Sequence, residues 1–261
     1  MHLQVLSSGS KGNSTLIRAG EVVALVDAGL PLRTLEERLE VAKVSPRSVQ
    51  HVIVTHAHLD HSRSAGRLAR KAKATIHAAE RNLDHRALTR APAYAVLPIN
   101  GQRELTDPKG NDILVLGAAR IPHDADPTVA IRLEHEGRCA VVLTDMGRVD
   151  DGAARHMRGA HVLVLEFNHD EEMLRLGPYP QKLIDRVRGD GGHLSNSEAA
   201  EMLGLLIGPE LHTLVLAHLS EKNNTPELAR QVAEDALAAL GRGDVKVLIA
   251  AQGEVGPNIE V

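Results

Sequence analysis

Short apolar blocks separated by polar residues fill the first half of the chain, a pattern that favours β-strands over long helices. Strands are predicted at residues 3–6, 14–18, 22–26, 51–54, 112–116, 128–133 and 139–143. Leu32, Leu35 and Leu39 recur at helical spacing and predict a helix over about 32–41. Residues 63–72 are rich in arginine and lysine, and we predict a basic helix there.

In the second half, predicted helices and strands alternate. Strands are expected at 161–165, 212–217 and 245–250, and a helix at 180–187. Ser195 and Glu198 have the spacing of a capping box, so a helix should begin there and run to about 207. Thr225, with Pro226 at the first helical position, should cap another helix that ends near 240. The pattern predicts a layered α/β protein with sheets inside and helices outside.

Composition limits the fold and the substrate. The 261 residues, 43% of them hydrophobic, fit one large domain or two small ones. With only three aromatic residues, the core must be aliphatic. The formal net charge is −4, which gives no global signal for nucleic acid. Two bound divalent ions would bring it to about zero, so a phosphodiester substrate is not excluded.

The single cysteine, Cys139, can form no internal disulfide and lies in an apolar run typical of a core. The first residues lack the charged start and long apolar stretch of a signal peptide. No apolar run approaches the ~20 residues of a membrane span. We therefore expect a cytoplasmic protein without a membrane partner; the oligomeric state is left open.

Four metal-competent side chains lie within residues 56–61: His56, His58, Asp60 and His61. Imidazoles and carboxylates are the ligands that Zn²⁺ and related divalent ions accept. His123, Asp145 and His218 each follow a predicted strand, as the 56–61 run does. Ligands collect at the carboxyl ends of strands in α/β folds, so we expect these residues to meet at one site.

The seven residues make two ligand sets that share one carboxylate. The first set can hold one ion: His56, His58 and His123. The second set can hold another ion: Asp60, His61 and His218. Asp145 would bridge the two ions, and a shared hydroxide would complete each coordination shell. We expect two divalent ions per chain, Zn²⁺ or Mn²⁺ or both, although the sequence does not fix the native metal.

This set resembles the metallo-β-lactamase superfamily: an HxHxDH motif, then a later His, Asp and His in that order. The resemblance implies a four-layer αββα sandwich, with residues 1–261 in a single domain and the metal site at one edge of the two sheets. Asp27 matches the superfamily's early Asp, and we expect it to support a ligand imidazole. An ordinary turn aspartate is the alternative.

Five further segments narrow the resemblance to the small bacterial YycJ-like (WalJ-like) nucleases. The segments are SSGSKGNS at 7–14, EFNHD at 166–170, GPYP at 177–180, GHLSN at 192–196, and HLS with NNT at 218–225. The segments around Glu166 and His193 are also similar to those of tRNase Z. Phe167 departs from the small residue expected at its position, which affects substrate packing and not the metal set.

The resemblance implies roles for residues beyond the ligands. A hydroxide bridging the metals would be the nucleophile, and Asp60 would orient it. His193 would protonate the leaving group or stabilise an oxyanion, with a local turn cap as the alternative. Glu166 would support His193 or a ligand, unless it only ties two loops together. His169 is a weaker supporting candidate, which a hydrogen bond to the neighbouring loop would explain equally well.

Residues expected to touch the substrate lie in the same segments. The candidates are Ser10, Lys11, Asn13, Arg63, Phe167, Tyr179 and Ser195. The Gly- and Ser-rich loop at 8–14 can cradle a phosphate, or it is only a turn. Arg63 is the cation nearest the metal run, while a solvated face explains most of the basic helix, in which residues 63, 67 and 70 share one side. Phe167 and Tyr179 can stack on bases or simply pack their loops.

The expected function is hydrolysis of nucleic acid. The resemblance implies 5′→3′ exonuclease activity, with some endonuclease action, on single-stranded DNA or RNA. The interval between Asp145 and His218 is too short for a β-CASP insertion, so the site should be open. The same metals could instead hydrolyse a small ester, thioester, lactam or cyclic phosphodiester. A third hypothesis is a non-catalytic metal-binding partner in a DNA-repair or signalling complex.

Overall fold

The structure is a computed structural model that describes residues 1–261. It contains fourteen strands: β1 (His2–Ser7), β2 (Ser14–Ala19), β3 (Val22–Val26), β4 (His51–Ile53), β5 (Thr75–Ala78), β6 (Ala93–Val96), β7 (Gln102–Thr106), β8 (Ile113–Ile121), β9 (Thr128–His135), β10 (Arg138–Leu143), β11 (Val162–Glu166), β12 (Thr213–Ala217), β13 (Lys246–Ile249) and β14 (Ile259–Glu260). The α-helices are α1 (Leu32–Val41), α2 (Leu59–Ser62), α3 (Ala65–Ala72), α4 (Asp151–Met157), α5 (Glu171–Leu176), α6 (Gln181–Arg188), α7 (Asn196–Leu206) and α8 (Pro226–Ala239). Short 3₁₀ turns occur at Pro46–Ser48 and Glu80–Asn82. None of the helices combines the length and the apolar character needed to cross a membrane.

The strands form two mixed sheets of seven. The first has the order β14-β1-β2-β3-β4-β5-β6, and the second has the order β13-β12-β11-β10-β9-β8-β7. Strands β1 to β3 pair antiparallel, whereas β3 to β6 pair parallel. Strands β10 to β13 also pair parallel. Parallel neighbours need crossover connections, and the carboxyl ends of such strands meet at one edge of the sheet.

The chain divides into two compact units. The first comprises Met1–Ala118, Ile131–Cys139 and Ala251–Val261. Within it, α1 contacts β1, and α3 contacts β4 and β5. Leu35, Leu39 and Leu68 are the fully buried residues with which these helices meet a core of leucine, valine and alanine. This aliphatic core follows from the scarcity of aromatic residues.

The second unit comprises Ala119–Ala130 and Ala140–Ala250. Every residue of β11 and β12 is buried, which is why these strands read as continuous apolar runs in the sequence. Helix α7 contacts α4, α8 and β11, and α8 contacts β13. The capping box is formed as predicted, with the Ser195 hydroxyl accepting from the Glu198 amide. Thr225 caps α8 through the Leu228 amide, also as predicted.

The predicted basic helix at 63–72 is wrong in one respect. Two helices occupy this region, because α2 ends at Ser62 and α3 begins at Ala65. Ser64 lies between them, and its hydroxyl donates to the Leu30 carbonyl at 2.6 Å. Arg63 therefore caps the end of α2, and it does not share a helix face with the arginines of α3.

Several elements were not predicted. Strands β6 and β7 form sheet edges and expose most of their residues, so they lack the apolar pattern of buried strands. Helices α4 and α5 are short, and each begins after an aspartate. The carboxylates of Asp150 and Asp170 accept hydrogen bonds from the amides of Ala153 and Met173, both at 2.8 Å. Aspartate at a helix N-cap was the available signal for both helices.

Candidate metal centre

The four candidate ligands of the 56–61 run cluster at the end of β4. His56 and His61 are fully buried, and their ring centroids lie 4.1 Å apart. The His58 ring is 4.7 Å from that of His56. Asp60 lies in the first turn of α2, with Oδ2 3.7 Å from His61 Nε2. The first unit thus brings three imidazoles and one carboxylate together.

Asp27 supports this cluster from the end of β3. Its Oδ2 lies 2.7 Å from His61 Nδ1, so the contact with a candidate ligand imidazole that the sequence predicts is present. Thr55 donates to the same carboxylate from its amide at 2.9 Å and from its hydroxyl. Burial raises the pKa of the Asp27 carboxyl above its ordinary value, while His61 and Thr55 act to lower it. With Nδ1 engaged, Nε2 is the nitrogen of His61 suited to a metal.

The loop at 8–14 packs against the metal run. The Asn13 side chain is buried; its oxygen accepts from the Gly9 amide at 2.8 Å and its Nδ2 lies 2.9 Å from His61 Nε2. Asn13 therefore supports the loop, and its contact with substrate stays a prediction. Ser10 and Lys11 are exposed, so phosphate binding by them stays a prediction. Gly29 lets its own backbone approach that of Asp60 closely, because a Cβ at position 29 would lie 1.6 Å from the Asp60 carbonyl oxygen.

In the second unit, polar residues gather at the carboxyl ends of parallel strands. Asp145 follows β10, Glu166 ends β11 and His218 follows β12. Asp145 Oδ1 is 3.6 Å from His218 Nε2, 3.6 Å from His193 Nδ1 and 4.0 Å from His123 Nε2. Four of these side chains can offer ligand atoms within 4.8 Å of one another: Asp145, Glu166, His193 and His218. The strand-end argument located Asp145 and His218 correctly, whereas Glu166 and His193 were expected from the family resemblance.

Glu166 is fully buried and joins two imidazoles. Its Oε1 lies 2.8 Å from His193 Nδ1 and 3.3 Å from His218 Nδ1, and its Oε2 accepts from the Met146 amide at 2.8 Å. Although burial acts in the opposite direction, the charge and hydrogen bond of His193 lower the pKa of Glu166. Burial alone would lower the pKa of His193, but the carboxylates of Glu166 and Asp145 together outweigh it and the pKa is raised. Glu166 therefore contacts both His193 and the candidate ligand His218, the two kinds of partner that the sequence left open.

Asn168 is a supporting residue that sequence reasoning missed. Its Nδ2 donates to the His218 carbonyl at 2.8 Å, its carbonyl accepts from the Ser220 amide at 2.8 Å, and its amide donates to Leu194 at 3.1 Å. The residue thus links the loops of His193 and His218. Its position between Glu166 and His169 in the EFNHD segment was the available signal.

Neither interpretation of the His169 side chain is decided, because the bond to the neighbouring loop is made by its backbone. The ring is buried, and burial lowers its pKa. The carbonyl of His169 accepts from the Asn196 amide at 2.8 Å, which is the bond to the neighbouring loop. A supporting role toward a ligand stays a prediction.

Two predicted substrate contacts are corrected. Phe167 has no exposed surface, and it is among the largest fully buried side chains, so its ring cannot stack on a base. The Ser195 hydroxyl caps α7 and bonds to Glu171 at 3.0 Å in a buried position. Arg63 is exposed and Tyr179 is half-buried, so their contacts with substrate stay predictions.

Three site residues adopt a backbone conformation that side chains other than glycine rarely take. The φ angles are 64° at Asp27, 59° at Asp145 and 56° at His218. Left-handed backbone at a non-glycine residue costs about 1–3 kcal/mol and persists only where the surroundings require it. The backbone at these strand ends is therefore held in the conformation that orients the side chains of Asp27, Asp145 and His218.

The donor sets fit divalent metal ions. The first unit offers three imidazoles and a carboxylate, and the second offers His123, Asp145 and His218. These are borderline ligands of the kind that first-row divalent ions accept. His123 is also oriented, since its Nδ1 lies 3.0 Å from the Gly192 carbonyl.

The model of the metallo-β-lactamase superfamily matches residues 8–218. The chain belongs to this superfamily. It is 33% identical to "Exodeoxyribonuclease YycJ" of Bacillus anthracis over 93% of this chain and 91% of that protein. It is 31% identical to "Exodeoxyribonuclease WalJ" of Streptococcus pneumoniae serotype 2, over 98% of this chain and 97% of that protein. The predicted resemblance to the YycJ-like (WalJ-like) family of the metallo-β-lactamase superfamily is confirmed. The protein is therefore an enzyme of the hydrolase class.

Solved structures share the fold along the whole chain. The metallo-β-lactamase fold protein YhfI from Bacillus subtilis has a TM-score of 0.70 and 18% identity, with 99% of both chains covered. Human tRNase Z, short form, has a TM-score of 0.63 and 18% identity, with both chains covered completely. The predicted αββα metallo-β-lactamase fold class is therefore confirmed.

Proposed function

We propose that this superfamily member is a two-metal phosphodiesterase that digests single-stranded DNA or RNA from the 5′ end, with some endonuclease action. One observation carries the proposal: the His193 imidazole is held by a buried carboxylate beside candidate metal ligands. Cleavage of a phosphodiester leaves an alkoxide that needs a proton, and a positioned imidazole can provide one. The names of the two curated relatives, both exodeoxyribonucleases, support a nucleic-acid substrate.

Residues 1–261 are proposed to act as one catalytic domain that holds two ions. His56, His58 and His123 would hold one ion. Asp60, His61 and His218 would hold the other, and Asp145 would be shared. The ions would supply water of lowered pKa and would neutralise charge on the phosphoryl oxygens. Zn²⁺ and Mn²⁺ are both suited to these ligands.

The protein's own groups would direct the proton transfers. Asp60 would accept a hydrogen bond from the attacking water and orient it. Glu166 accepts from His193 at Nδ1, so Nε2 is the atom that would deliver a proton to the leaving oxygen. Asp27 fixes the ring of His61 in the same way through Nδ1.

The test is a matrix of metals and substrates. Wild-type protein and Asp145→Asn are assayed with Zn²⁺, Mn²⁺ and Mg²⁺ on 5′- and 3′-labelled single and double strands. Asparagine tolerates the left-handed backbone at position 145, so the variant should fold. Asp151→Asn, an exposed carboxylate of α4, is the matched control.

Wild type and the control should release short products from the 5′ end of single strands, and Asp145→Asn should not. Equal cleavage by wild type and Asp145→Asn would overturn the proposal. Rapid hydrolysis of a thioester or lactam, without action on any oligonucleotide, would assign the same metals to a small-ester hydrolase instead.

A further inference from the structure

An open depression of about 430 Å³ lies in the second unit, bordered by α5, the loop after His218 and the start of α8. We propose that it binds a base of the nucleic-acid strand whose phosphate is cleaved. The inference rests on the proposed function and adds a specific contact to it. Its volume falls within the ~300–1,000 Å³ range of small-ligand sites.

The depression has an apolar wall that faces solvent. Met173, Leu176 and Leu228 contribute to it. Leu176 is 66% exposed and Leu228 is 40% exposed, although most leucines of the chain are buried. Large apolar side chains that meet in one exposed concavity mark a binding site more often than scattered ones do. An apolar wall of this kind suits the face of a nucleobase.

Two carboxylates and one cation line the depression. The Asp170 carboxylate is occupied as the cap of α5, and that of Glu172 lies 3.7 Å from an Arg175 nitrogen. Lys222 is the only cation that lines the depression, and its side chain is exposed. The apolar wall can contact the face of a base, while the lysine at its edge can contact the adjoining phosphate.

Segments that line the depression are hydrogen-bonded to the candidate catalytic loops. Asp170 donates its amide to the Asn223 carbonyl at 2.8 Å, and Ser220 donates to Asn168 at 2.8 Å. Asn168 in turn bonds to the His218 carbonyl. A base in the depression would therefore be held by the segments that position His218 and the neighbouring His193.

Gly177 and Asn223 shape one side of the depression. A Cβ at Gly177 would lie 2.5 Å from Asn223 Oδ1, so only glycine lets α5 end this close to the loop. Asn223 itself is buried behind Gly177, and its side chain is not part of the lining.

The experiment combines Leu176→Ala with single-stranded oligonucleotides that carry one abasic residue, moved stepwise along the strand. At one register, removal of the base or of the leucine should each raise KM about five-fold or more, the effect of one lost stacking contact. Removal of both should raise KM no further than either change alone. Leu240→Ala, an equally truncated exposed leucine at the far end of α8, should leave KM unchanged at every register.

Lys222→Gln supplies a second readout. For single strands, the slope of log binding constant against log salt should fall by about 0.7 when one phosphate contact is lost. Lys246→Gln, an exposed lysine of β13, is the control. The base site alone would be overturned if the effects on KM of removing the base and of removing the leucine multiplied at every register. It would also be overturned if Leu176→Ala had no more effect on KM than Leu240→Ala. Failure of the wild type to cleave any oligonucleotide would overturn both the proposed function and the base site.

Discussion

Replacement of Glu166 by glutamine tests the hydrogen-bond arrangement on which the proposed chemistry depends. Oε1 faces the Nδ1 atoms of His193 and His218, and Oε2 faces the Met146 amide. A carboxylate can accept from all three donors, but a glutamine has one oxygen and one NH₂ group. In either orientation of the glutamine amide, its NH₂ group therefore faces another hydrogen-bond donor, an imidazole N–H or the Met146 amide.

Each orientation has a distinct cost. If the amide oxygen faces Met146, the NH₂ group faces the imidazoles, and His193 must carry its proton on Nε2 as a neutral ring. If the oxygen faces the imidazoles, the NH₂ group opposes the Met146 amide. A buried donor without an acceptor costs about 1–3 kcal/mol. Loss of a positioned acid–base group lowers rates by about 10²- to 10⁴-fold.

We therefore expect Glu166→Gln to lower kcat on a single-stranded oligonucleotide by about 10²- to 10⁴-fold, with a small change in KM. The assay compares Glu166→Gln, His193→Gln and the double variant, with metal content measured for each. The double variant should be little worse than either single variant, because the two residues act as a unit. Glu210→Gln, an exposed carboxylate, is the control. A kcat within three-fold of wild type at equal metal content would refute the reasoning.

Three further predictions concern residues outside the reaction. Asn168→Ala should lower the free energy of unfolding by about 1–3 kcal/mol, since it leaves buried groups of the His218 loop unsatisfied; urea unfolding beside the exposed Asn258→Ala variant checks this. Burial raises the pKa of Cys139 to about 12, so a thiol reagent at pH 8 should label the native protein hardly at all and the unfolded protein fully. Burial also lowers the pKa of His77 from 6.5 to about 3. As the pH falls below 6.5, His77 therefore binds a proton in the unfolded chain but stays neutral in the folded protein. Stability should drop by about 2 kcal/mol from this group between pH 7 and pH 5, and His77→Gln, compared by denaturant unfolding, should lose correspondingly less; an identical loss in the variant would contradict the assignment.

Residues with a strong local signal were placed correctly by the sequence. The capping box at Ser195 and the cap at Thr225 form, because such caps depend on a few neighbouring atoms. The positions of Asp145 and His218 after buried strands also followed from pattern alone, since continuous apolar runs mark parallel strands whose ends share an edge. These rules led to a layered α/β protein and to the positions of Asp145 and His218, while the αββα metallo-β-lactamase fold class followed from the family resemblance.

Contacts distant in sequence were not predictable in the same way. Phe167 was expected to face a substrate because it stands next to Glu166, but the direction of its side chain is decided by packing that the sequence does not show. Asn13 lies 48 positions from the His61 ring that its amide contacts. Asn168 links two loops through its backbone as well as its side chain, which residue type alone does not reveal.

The strained strand ends give a prediction about metal and stability. Asp27, Asp145 and His218 are held at positive φ, whereas Lys43 and Lys73 adopt it at helix ends, where such geometry is common. Strain at the site lowers the stability of the protein without metal and is offset when ligands coordinate an ion. At a free metal concentration of 100 Kd, the binding of one ion should add about 2.7 kcal/mol. For a chain of this size each kcal/mol corresponds to roughly 2–4 °C, so Tm should rise by about 5–10 °C.

Thermal unfolding of chelator-treated protein, titrated with Mn²⁺ or Zn²⁺, measures this shift. Asp151→Asn should show the full rise, because its carboxylate lies outside the candidate site. Asp145→Asn keeps the left-handed backbone but loses a charged oxygen, so its Tm should respond only at much higher metal concentration. A Tm that ignores metal in the wild type would mean that the strand-end strain serves some other purpose. An equal rise in Asp145→Asn would remove Asp145 from the ligand set while leaving the other donors in place.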